Sequence, residues 1–503
     1  MTSSHKSPPG SNQTQGSTQG STQGSTQGST QGSTQGLAST QGSTKMEGAA
    51  ATKDELRELI KKYDVPAPRY TSYPTVPYWS DNPTTSQWLS SVKQAFQKPE
   101  MRWSLYIHIP FCETLCTFCG CNTSITKDHT REVPYVELLH KEWEQYLVSV
   151  PEIRERPLVQ FHLGGGTPTF LSAAHLRSLL KPMIDAVTKD GLHFEGAIEV
   201  DPRRTNVEQL KVLHELGFTR ISLGVQDFNS EVQRLINRKQ PREMTEDLTR
   251  AAREIGFKSV NFDLIYGLPK QTPVSIREMA EITVQMRPDR IALYSFARVP
   301  WIKPAQRLFK DEDLPAGEAK RELYEISRQI LIDGGYREIG MDHFALPDDS
   351  LSVAEVTGEL HRNFMGYSDR RTDVLIGLGV SAISESPTCF HQNEKVLPVY
   401  ERRVSNGEIP THRGHLLTEE DRRRREQILR FMTQWQVELE SDAQAHDVEL
   451  FLNSMILDGL VTLKGRTLKL TEKGRPFLRN ACVSLDARLR AKAPDTKVFS
   501  QSV

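Results

Sequence analysis

The stretch Y-I-H-I-P-F-C-E-T-L-C-T-F-C-G-C-N spans residues 106–122 and contains Cys112, Cys116 and Cys119 with the spacing C-x3-C-x2-C. Three thiols so close in the chain can bind a single inorganic centre together. A cubane iron-sulfur cluster has four irons that each take a thiolate, so a loop with three leaves one iron open to another molecule. An open iron site predicts chemistry at this loop, not only electron storage.

Zinc, a disulfide and simple core packing are alternative explanations of these cysteines. Structural zinc takes four ligands, usually as two pairs, and no second C-x2-C or H-x3-H pair stands out in the chain. Cys121 could supply a fourth ligand, but only Gly120 separates it from Cys119, which makes shared chelation awkward. Disulfides are disfavoured because no secretory signal or membrane-length apolar span is evident, which predicts a reducing, cytoplasmic setting. We therefore predict an iron-sulfur cluster.

The composition is that of a soluble protein: 503 residues, 37% hydrophobic, 25% charged and a formal net charge of -1. This size predicts one large or two ordinary domains. The balanced charge disfavours a dedicated nucleic-acid partner, and we expect no membrane partner. Four arginines, Arg422–Arg425, lie within E-E-D-R-R-R-R-E, and the mixed charge predicts a solvated helix face.

Residues 1–45 differ from the rest because the tetrapeptide T-Q-G-S repeats from Thr14 to Gly36 with almost no apolar residue. Such a segment cannot bury a core, so we predict a disordered low-complexity tail whose deletion changes neither cluster nor activity. The first helical pattern, K-D-E-L-R-E-L-I-K-K-Y, comes after Met46. We assign residues 46–103 to an N-terminal arm.

From Ser104 the chain alternates short β-rich runs with segments that carry apolar residues at helical spacing. The β-rich runs are S-L-Y-I-H-I, V-Q-F-H-L, A-I-E-V, R-I-S-L-G-V, S-V-N-F-D-L-I and R-I-A-L-Y-S-F. This order favours a parallel sheet with right-handed crossovers. We predict an α/β fold with a partial, TIM-like (β/α)6 barrel over residues 104–395. Active groups gather at the carboxyl ends of barrel strands, and the cysteine loop follows the first strand.

Glycine and polar residues end several of these strands. The second run ends in H-L-G-G-G-T-P-T, residues 162–169, where glycines allow the backbone to approach a ligand. Polar side chains at later strand ends suit ribose hydroxyls, but they could equally cap the next helix or pair with nearby arginines. These residues are Glu199, Asp201, Gln226, Asp227 and Asp263. Both interpretations stay open for each residue.

The cysteine spacing, with an aromatic residue before the last cysteine, resembles the radical S-adenosylmethionine superfamily. Longer phrases, from about residue 55 to the C-terminus, resemble one family within it, the oxygen-independent coproporphyrinogen III dehydrogenases of haem biosynthesis. The phrases are P-R-Y-T-S-Y-P, C-G-C-N, G-V-Q-D-F-N, N-F-D-L-I-Y-G-L-P-K-Q-T, G-M-D-H-F-A and H-R-N-F-M-G-Y. Several long motifs in the same order rarely coincide by chance.

The resemblance implies cofactors and site residues. Cys112, Cys116 and Cys119 would bind a [4Fe-4S] cluster whose open iron binds S-adenosylmethionine. The first S-adenosylmethionine would be lined by Tyr106, Gly165, Glu199 and Ile383. A second one, described for the family, would be lined by Phe118, Gly166, Thr167, Gln226, Arg238, Asp263 and Ala297. The implied catalytic residues are Cys121, which lies outside cluster ligation, and Tyr106.

The implied reaction converts two propionates of coproporphyrinogen III to vinyl groups, giving protoporphyrinogen IX. One-electron cleavage of S-adenosylmethionine gives a 5′-deoxyadenosyl radical, which removes hydrogen from the β-carbon of a propionate. Carbon dioxide is then lost and one electron passes to an acceptor. The family also implies a low-potential electron donor, flavodoxin-like or ferredoxin-like, and a monomer. Four substrate carboxylates call for arginine and lysine, and the 63 in the chain offer no obvious choice.

Two other activities are compatible with the same loop and barrel. Haem chaperones share both features, but chaperone-like relatives typically have another residue in place of Cys121 and lack the P-R-Y-T-S-Y-P arm. Both differences favour the dehydrogenase. A radical methyltransferase acting on a tetrapyrrole would also explain a second S-adenosylmethionine.

The C-terminal region, residues 396–503, is predicted as a mostly helical module. It contains helical patterns followed by L-V-T-L-K-G-R-T-L-K-L-T, two β-like runs around a turn, which resembles a winged helix. The family uses this domain to cover the active site, and a cover that excludes water protects a carbon radical. Cys389 and Cys482 stand alone and are predicted to be buried packing residues.

Overall fold

The computed structural model describes residues 53–494 and 498–502. The predicted repeat tail, residues 1–45, lies outside the described residues. The helical pattern of the arm is confirmed, because Lys53–Tyr63 is a helix.

The predicted α/β fold is confirmed, since all six predicted strands are parallel neighbours in one sheet. Their apolar, β-branched runs suit strands that are buried between helices. The strands are β1 Trp103–Ile109, β2 Leu158–Gly165, β3 Glu195–Val200, β4 Phe218–Gln226, β5 Ser259–Tyr266 and β6 Arg290–Ser295.

Six further strands extend this sheet to twelve. They are β7 Arg337–Gly340, β8 His343–Ala345, β9 Val374–Leu378, β10 Ile383–Ser386, β11 Cys389–Asn393 and β12 Thr411–Leu416. The strand order is β12-β11-β10-β9-β1-β2-β3-β4-β5-β6-β8-β7. Strand β9 is parallel to β1, with Gly377 opposite Tyr106, and the other added strands pair antiparallel.

Helices cover the sheet and form most of the C-terminal region. After the first helix they are Thr85–Phe96, Glu132–Ser149, Ala173–Asp185, Val207–Glu215, Ser230–Leu235, Arg242–Ile255, Pro273–Met286, Gly317–Asp333, Ser350–Thr357, Leu397–Ser405, Glu419–Gln434, Asp442–Leu457, Leu478–Val483 and Ala487–Ala491. Several begin at side-chain caps, as where Thr272 Oγ1 accepts the Ser275 N–H at 3.1 Å. None of the helices described has the length and apolar character needed to cross a membrane.

A cavity occupies the barrel interior, and small side chains form part of its lining. Ala197, Ser222 and Ala292 line the cavity there, where β/α barrels commonly place bulky branched residues. The cavity has a volume of about 500 Å³ and also contacts the cysteine loop. The barrel core therefore provides space beside the proposed cluster.

Two hydrophobic cores organise the described chain. The larger lies between the sheet and its helices. The smaller joins the C-terminal helices to the arm residues Leu59, Ile60, Tyr70 and Tyr73. The lone cysteines lie one in each core, Cys389 in the larger and Cys482 in the smaller, and both are buried as predicted.

The winged-helix-like prediction is confirmed. The helix Glu419–Gln434, a short strand and the helix Asp442–Leu457 are followed by a two-stranded hairpin. The three strands, Gln436–Glu438, Val461–Lys464 and Thr467–Leu470, form a sheet of their own. The domain limits at residues 103 and 395 stay predictions. Strand β12 lies beyond residue 395 and still pairs within the large sheet.

The arginine run Arg422–Arg425 departs from its prediction as a solvated face. The first two arginines of the run are exposed, but the last two are partly buried. Arg425 pairs with Glu385 and lies 5.0 Å from the ring centroid of Phe390. At 3.6 residues per turn, four consecutive side chains point around the whole helix, so a run of four cannot share one face.

Glu142 is a fully buried carboxyl that fastens a helix to the large sheet. It accepts hydrogen bonds from the Gly379 N–H at 2.9 Å, from Asn393 Nδ2 at 2.6 Å and from the Tyr400 hydroxyl at 2.7 Å. Burial raises the pKa of Glu142 to about 7, although these hydrogen bonds oppose the shift. The carboxyl therefore holds its proton more tightly in the folded chain than in the unfolded one.

Glu142→Gln should remove a pH dependence of folding stability. A pKa that folding raises makes the protein most stable below the unfolded value, about 4.5, and stability falls as pH rises through about 7. The shift corresponds to about 3 kcal/mol. Urea unfolding of both proteins across this pH range should show that the free energy of unfolding of wild type falls by about 3 kcal/mol relative to that of the variant. If the difference in unfolding free energy between the two proteins stays constant with pH, the raised pKa does not belong to Glu142.

Candidate active site

Cys116 lies in a positively charged corner of the cysteine loop. Arg203 Nη2 and Arg238 Nη1 donate to Cys116 Sγ at 3.6 and 3.7 Å. Both guanidinium groups also pair with Asp201, at 2.7 and 3.2 Å. Burial opposes ionisation of Asp201, but the charges and hydrogen bonds of the two arginines hold its pKa below the usual value. Asp201 is thus an arginine partner, as one of its two interpretations proposed.

The other two sulfurs of the loop also have hydrogen-bonding neighbours. Thr167 Oγ1 lies 3.3 Å from Cys112 Sγ, and the backbone N–H of Cys121 donates to Cys119 Sγ at 3.4 Å. The Cys121 side chain is exposed to the cavity. Hydrogen bonding from Cys121 lowers the pKa of Cys119 to about 6, whereas burial raises the pKa of Cys112 to about 11. The thiolate is the form that binds iron.

The segment after β6 fastens the end of the cysteine loop. Gln306, which is fully buried, donates from Nε2 to the carbonyls of Phe118 at 3.0 Å and Ala297 at 3.3 Å. Lys303 Nζ donates to the Cys121 carbonyl at 2.8 Å. Sequence reasoning missed Gln306 because a single glutamine in a loop carries no pattern.

The glycine-rich strand end packs tightly against β1 and the loop. Gly165 has φ +115°, a left-handed conformation that favours glycine. A Cβ on Gly165 would lie 2.8 Å from the His108 ring, and one on Gly166 would lie 2.7 Å from the Pro110 carbonyl oxygen. These glycines are therefore required by close packing within the protein.

Two histidines that sequence reasoning missed organise the barrel mouth. His162 Nε2 donates to Glu199 Oε1 at 3.1 Å, and its ring stacks on Tyr106 with centroids 5.8 Å apart. Burial opposes ionisation of Glu199, but the hydrogen bond and charge of His162 keep the pKa of Glu199 below its usual value. Both histidines alternate with apolar residues in their strands. This alternation is the sequence signal that could have indicated a polar side chain directed into the site.

The second histidine, His108, links β1 to the cysteine loop. Its Nε2 lies 2.9 Å from the Asn122 carbonyl oxygen, which can only accept, so Nε2 carries the proton. Burial lowers the pKa of His108, so Nδ1 is unprotonated and accepts from the Tyr106 hydroxyl at 3.2 Å. The tautomer of His108 thus fixes the direction of the Tyr106 hydroxyl.

Two strand-end carboxyls have different surroundings. Asp263 faces the cavity, and burial raises its pKa to about 6 although Ser222 Oγ donates to it at 2.7 Å. Asp227 is fully buried and accepts from the Asn229 N–H at 2.7 Å and from Gln271 Nε2. Asp227 therefore holds the turn before the helix Ser230–Leu235, but the cap of that helix is Asn229, so the capping interpretation of Asp227 is wrong.

The cavity brings most of the predicted site residues together. Its lining includes Cys112, Cys116, Phe118, Cys119, Cys121, Gly165, Gly166, Thr167, Glu199, Gln226, Arg238, Asp263 and Ala297. Tyr106 and Ile383 are not part of this lining. Tyr106 adjoins the cavity, because its ring stacks on that of His162, which lines the cavity. Ile383 is near Tyr106, since a Cβ on Gly377, the sheet partner of Tyr106, would lie 2.5 Å from the Ile383 carbonyl oxygen.

The residues present fit an iron-sulfur cluster with S-adenosylmethionine beside it. Three hydrogen-bonded sulfurs face one cavity that is large enough for a small organic molecule. Arg238 is buried, lines the cavity, and its Nε has no hydrogen-bond partner among the described residues. A buried donor of this kind is costly unless a ligand accepts from it.

A three-cysteine loop at the carboxyl end of a parallel barrel strand, beside a glycine-rich strand end, defines a radical S-adenosylmethionine protein. In agreement, the Radical SAM superfamily matches residues 106–282. The chain is 41% identical over 448 residues to an oxygen-independent coproporphyrinogen III oxidase of Escherichia coli, a match that covers 86% of this chain and 96% of that relative. The chain therefore belongs to the family of oxygen-independent coproporphyrinogen III oxidases.

Other comparisons agree with this assignment. A relative of the same description from Pseudomonas aeruginosa is 38% identical over 444 residues, covering 86% of this chain and 95% of the relative. The solved coproporphyrinogen III oxidase of Escherichia coli, described as a radical SAM enzyme, matches with a TM-score of 0.80 and 39% identity. That match covers 86% of this chain and 98% of the solved chain. The family and fold inferred from the sequence are confirmed.

Proposed function

We propose that this chain catalyses the oxygen-independent oxidative decarboxylation of coproporphyrinogen III to protoporphyrinogen IX in haem biosynthesis. The observation that carries the proposal is the 41% identity over almost the whole length of a coproporphyrinogen III oxidase. Each reacting propionate loses a hydrogen atom from its β-carbon, carbon dioxide and one electron, which leaves a vinyl group. Two propionates react in this way.

Cys112, Cys116 and Cys119 bind the [4Fe-4S] cluster in this proposal. When bound, the cluster and S-adenosylmethionine supply one-electron reduction and hydrogen-atom abstraction, which protein side chains do not. The donors to Cys116 Sγ, Arg203 and Arg238, offset the negative charge of the thiolate. Hydrogen bonds to cluster sulfurs of this kind tune the reduction potential.

The cavity residues bind and orient the cofactor molecules. Ionised Glu199, held by His162, is suited to accept two ribose hydroxyls, and it would act with Tyr106, Gly165 and Ile383 at the first S-adenosylmethionine. Arg238 can donate its unpaired Nε to the carboxylate of a second S-adenosylmethionine. The other residues of that second site would be Phe118, Gly166, Thr167, Gln226, Asp263 and Ala297.

The remaining parts of the proposal concern surroundings and partners. Residues 396–503 cover the active site and exclude water from it. A low-potential flavodoxin-like or ferredoxin-like protein supplies electrons to a monomeric enzyme. We place the reaction in the cytoplasm, because its reducing conditions keep the cluster cysteines from forming disulfides.

An anaerobic assay tests the proposal. The reconstituted protein is given S-adenosylmethionine, a low-potential reductant and coproporphyrinogen III. We expect vinyl-bearing product to appear together with 5′-deoxyadenosine. If the cluster stays intact and haem binds tightly while no decarboxylated product forms, the chain is a haem chaperone and the proposal fails.

A further inference from the structure

A groove of about 710 Å³ lies between the N-terminal arm, the loop after β6 and the C-terminal residues. This volume is within the range of roughly 300–1,000 Å³ that small-molecule sites occupy. Its walls are aromatic and apolar where Tyr78, Ile302 and Phe499 line it, and Arg413 lines it as well. The groove therefore suits a flat apolar ligand that also carries negative charge.

Three cations gather beside this groove, next to the end of the cysteine loop. Lys303 follows Ile302 and donates to the Cys121 carbonyl, and the Lys395 carbonyl accepts from Asn122 Nδ2 at 3.1 Å. The third, Arg413, donates from Nε to a glutamine, Gln392, at 2.9 Å. Within the described residues, none of the three cations forms an ion pair with a carboxylate.

The electrostatics of these cations favour a bound anion. Burial, followed by the charges of Arg413 and Lys303, lowers the pKa of Lys395 even though Glu394 lies nearby. Burial also lowers the pKa of Arg413. Like charges that are partly desolvated and lack carboxylate partners repel one another, and a carboxylate ligand would relieve that repulsion.

The arginines at the mouth of the barrel cavity are already engaged. Arg203 and Arg238 are paired with Asp201, and Arg204 Nη1 lies 3.0 Å from Glu113. Apart from Arg238 Nε, which is proposed to bind a cofactor carboxylate, these groups have little capacity left for several substrate carboxylates. The three cations beside the groove are better candidates, because among the described residues none of them forms an ion pair with a carboxylate, although the charge of Glu394 raises the pKa of Lys395.

We propose that the groove binds the tetrapyrrole substrate and that Lys303, Lys395 and Arg413 bind its propionate carboxylates. This inference rests on the proposed function, which supplies a substrate with four carboxylates. The fork of Arg413 can hold a carboxylate through two hydrogen bonds, and the lysines add charge. Because Lys303 also contacts the Cys121 carbonyl, a carboxylate bound here lies beside the proposed catalytic cysteine.

Equilibrium binding of coproporphyrin III, the stable oxidised form of the substrate, tests this inference. Binding is followed by tryptophan fluorescence on the reconstituted full chain. We expect Arg413→Gln and Lys395→Gln each to raise Kd about 10-fold, and the double variant about 100-fold, because each removes a charged hydrogen-bond donor. Lys211→Gln, on the exposed side of the helix Val207–Glu215, should leave Kd unchanged.

A second porphyrin separates charge recognition from general damage. Protoporphyrin IX carries two carboxylates, so wild type should bind it more weakly than coproporphyrin III, and the double variant should lose that preference. Arg413→Lys keeps the charge but loses the two-pronged hydrogen bond, so its Kd should lie between those of wild type and Arg413→Gln. If wild type turns over but the double variant binds coproporphyrin III as tightly as wild type, the inference is wrong. Absence of wild-type turnover would instead overturn the proposed function.

Discussion

Cys116→Ala is expected to abolish both the iron-sulfur cluster and product formation. The loop has three thiols for the cluster, and removing one leaves two. The variant also leaves Arg203 and Arg238 facing each other across the lost sulfur, with Asp201 as the carboxylate that both of them pair with. Iron and sulfide content, the electron paramagnetic resonance signal of the reduced protein and product formation should all fall to background.

Cys389→Ala is the matched control for this experiment. Cys389 is buried in the main core, and its Sγ contacts only the Phe390 carbonyl among the hydrogen bonds of the described chain. Its replacement should retain full iron content and lower stability by about 1 kcal/mol, as expected for a small buried side chain. Full iron content in Cys116→Ala, or loss of iron in the control, would refute the ligand assignment.

Cys121→Ser is expected to separate cofactor cleavage from product formation. Residue 121 contacts Cys119 through its backbone N–H, which serine retains, and through its side chain, where a serine hydroxyl can donate in place of the thiol. Cluster content and 5′-deoxyadenosine formation without substrate should therefore match wild type. Product formation should be lost, because Cys121 is proposed to act on the substrate and not as a cluster ligand.

Iron analysis decides how the Cys121 result is interpreted. A serine variant that loses iron would show that Cys121 ligates the cluster, and the proposed separation of roles would be wrong. A variant that keeps both iron and wild-type product formation would show that the thiol has no part in the reaction.

The sequence predicted the barrel well because long parallel strands leave a strong pattern. The runs that became β1 to β6 are apolar and bounded by helical segments, so local signal and tertiary structure agree. Strands β7 to β12 are short, and most pair antiparallel at the margins of the sheet, where local pattern is weak. The joint core of Tyr70 and Tyr73 with the C-terminal helices depends on contacts between the two ends of the chain.

The site was predictable where spacing encodes chemistry and not where geometry alone brings residues together. The cysteine loop and glycine motif were evident from spacing, and they face one cavity. The tautomer of His108 and the carbonyl contacts of Gln306 follow from three-dimensional packing. The arginine run misled because composition does not show which side of a helix faces a carboxylate such as Glu385.

The most direct test uses coproporphyrinogen III deuterated at the β-carbons of its propionates. The account predicts that 5′-deoxyadenosine released during turnover carries deuterium, together with formation of the divinyl product. Divinyl product accompanied by unlabelled 5′-deoxyadenosine would contradict hydrogen abstraction from that carbon, and with it the central claim.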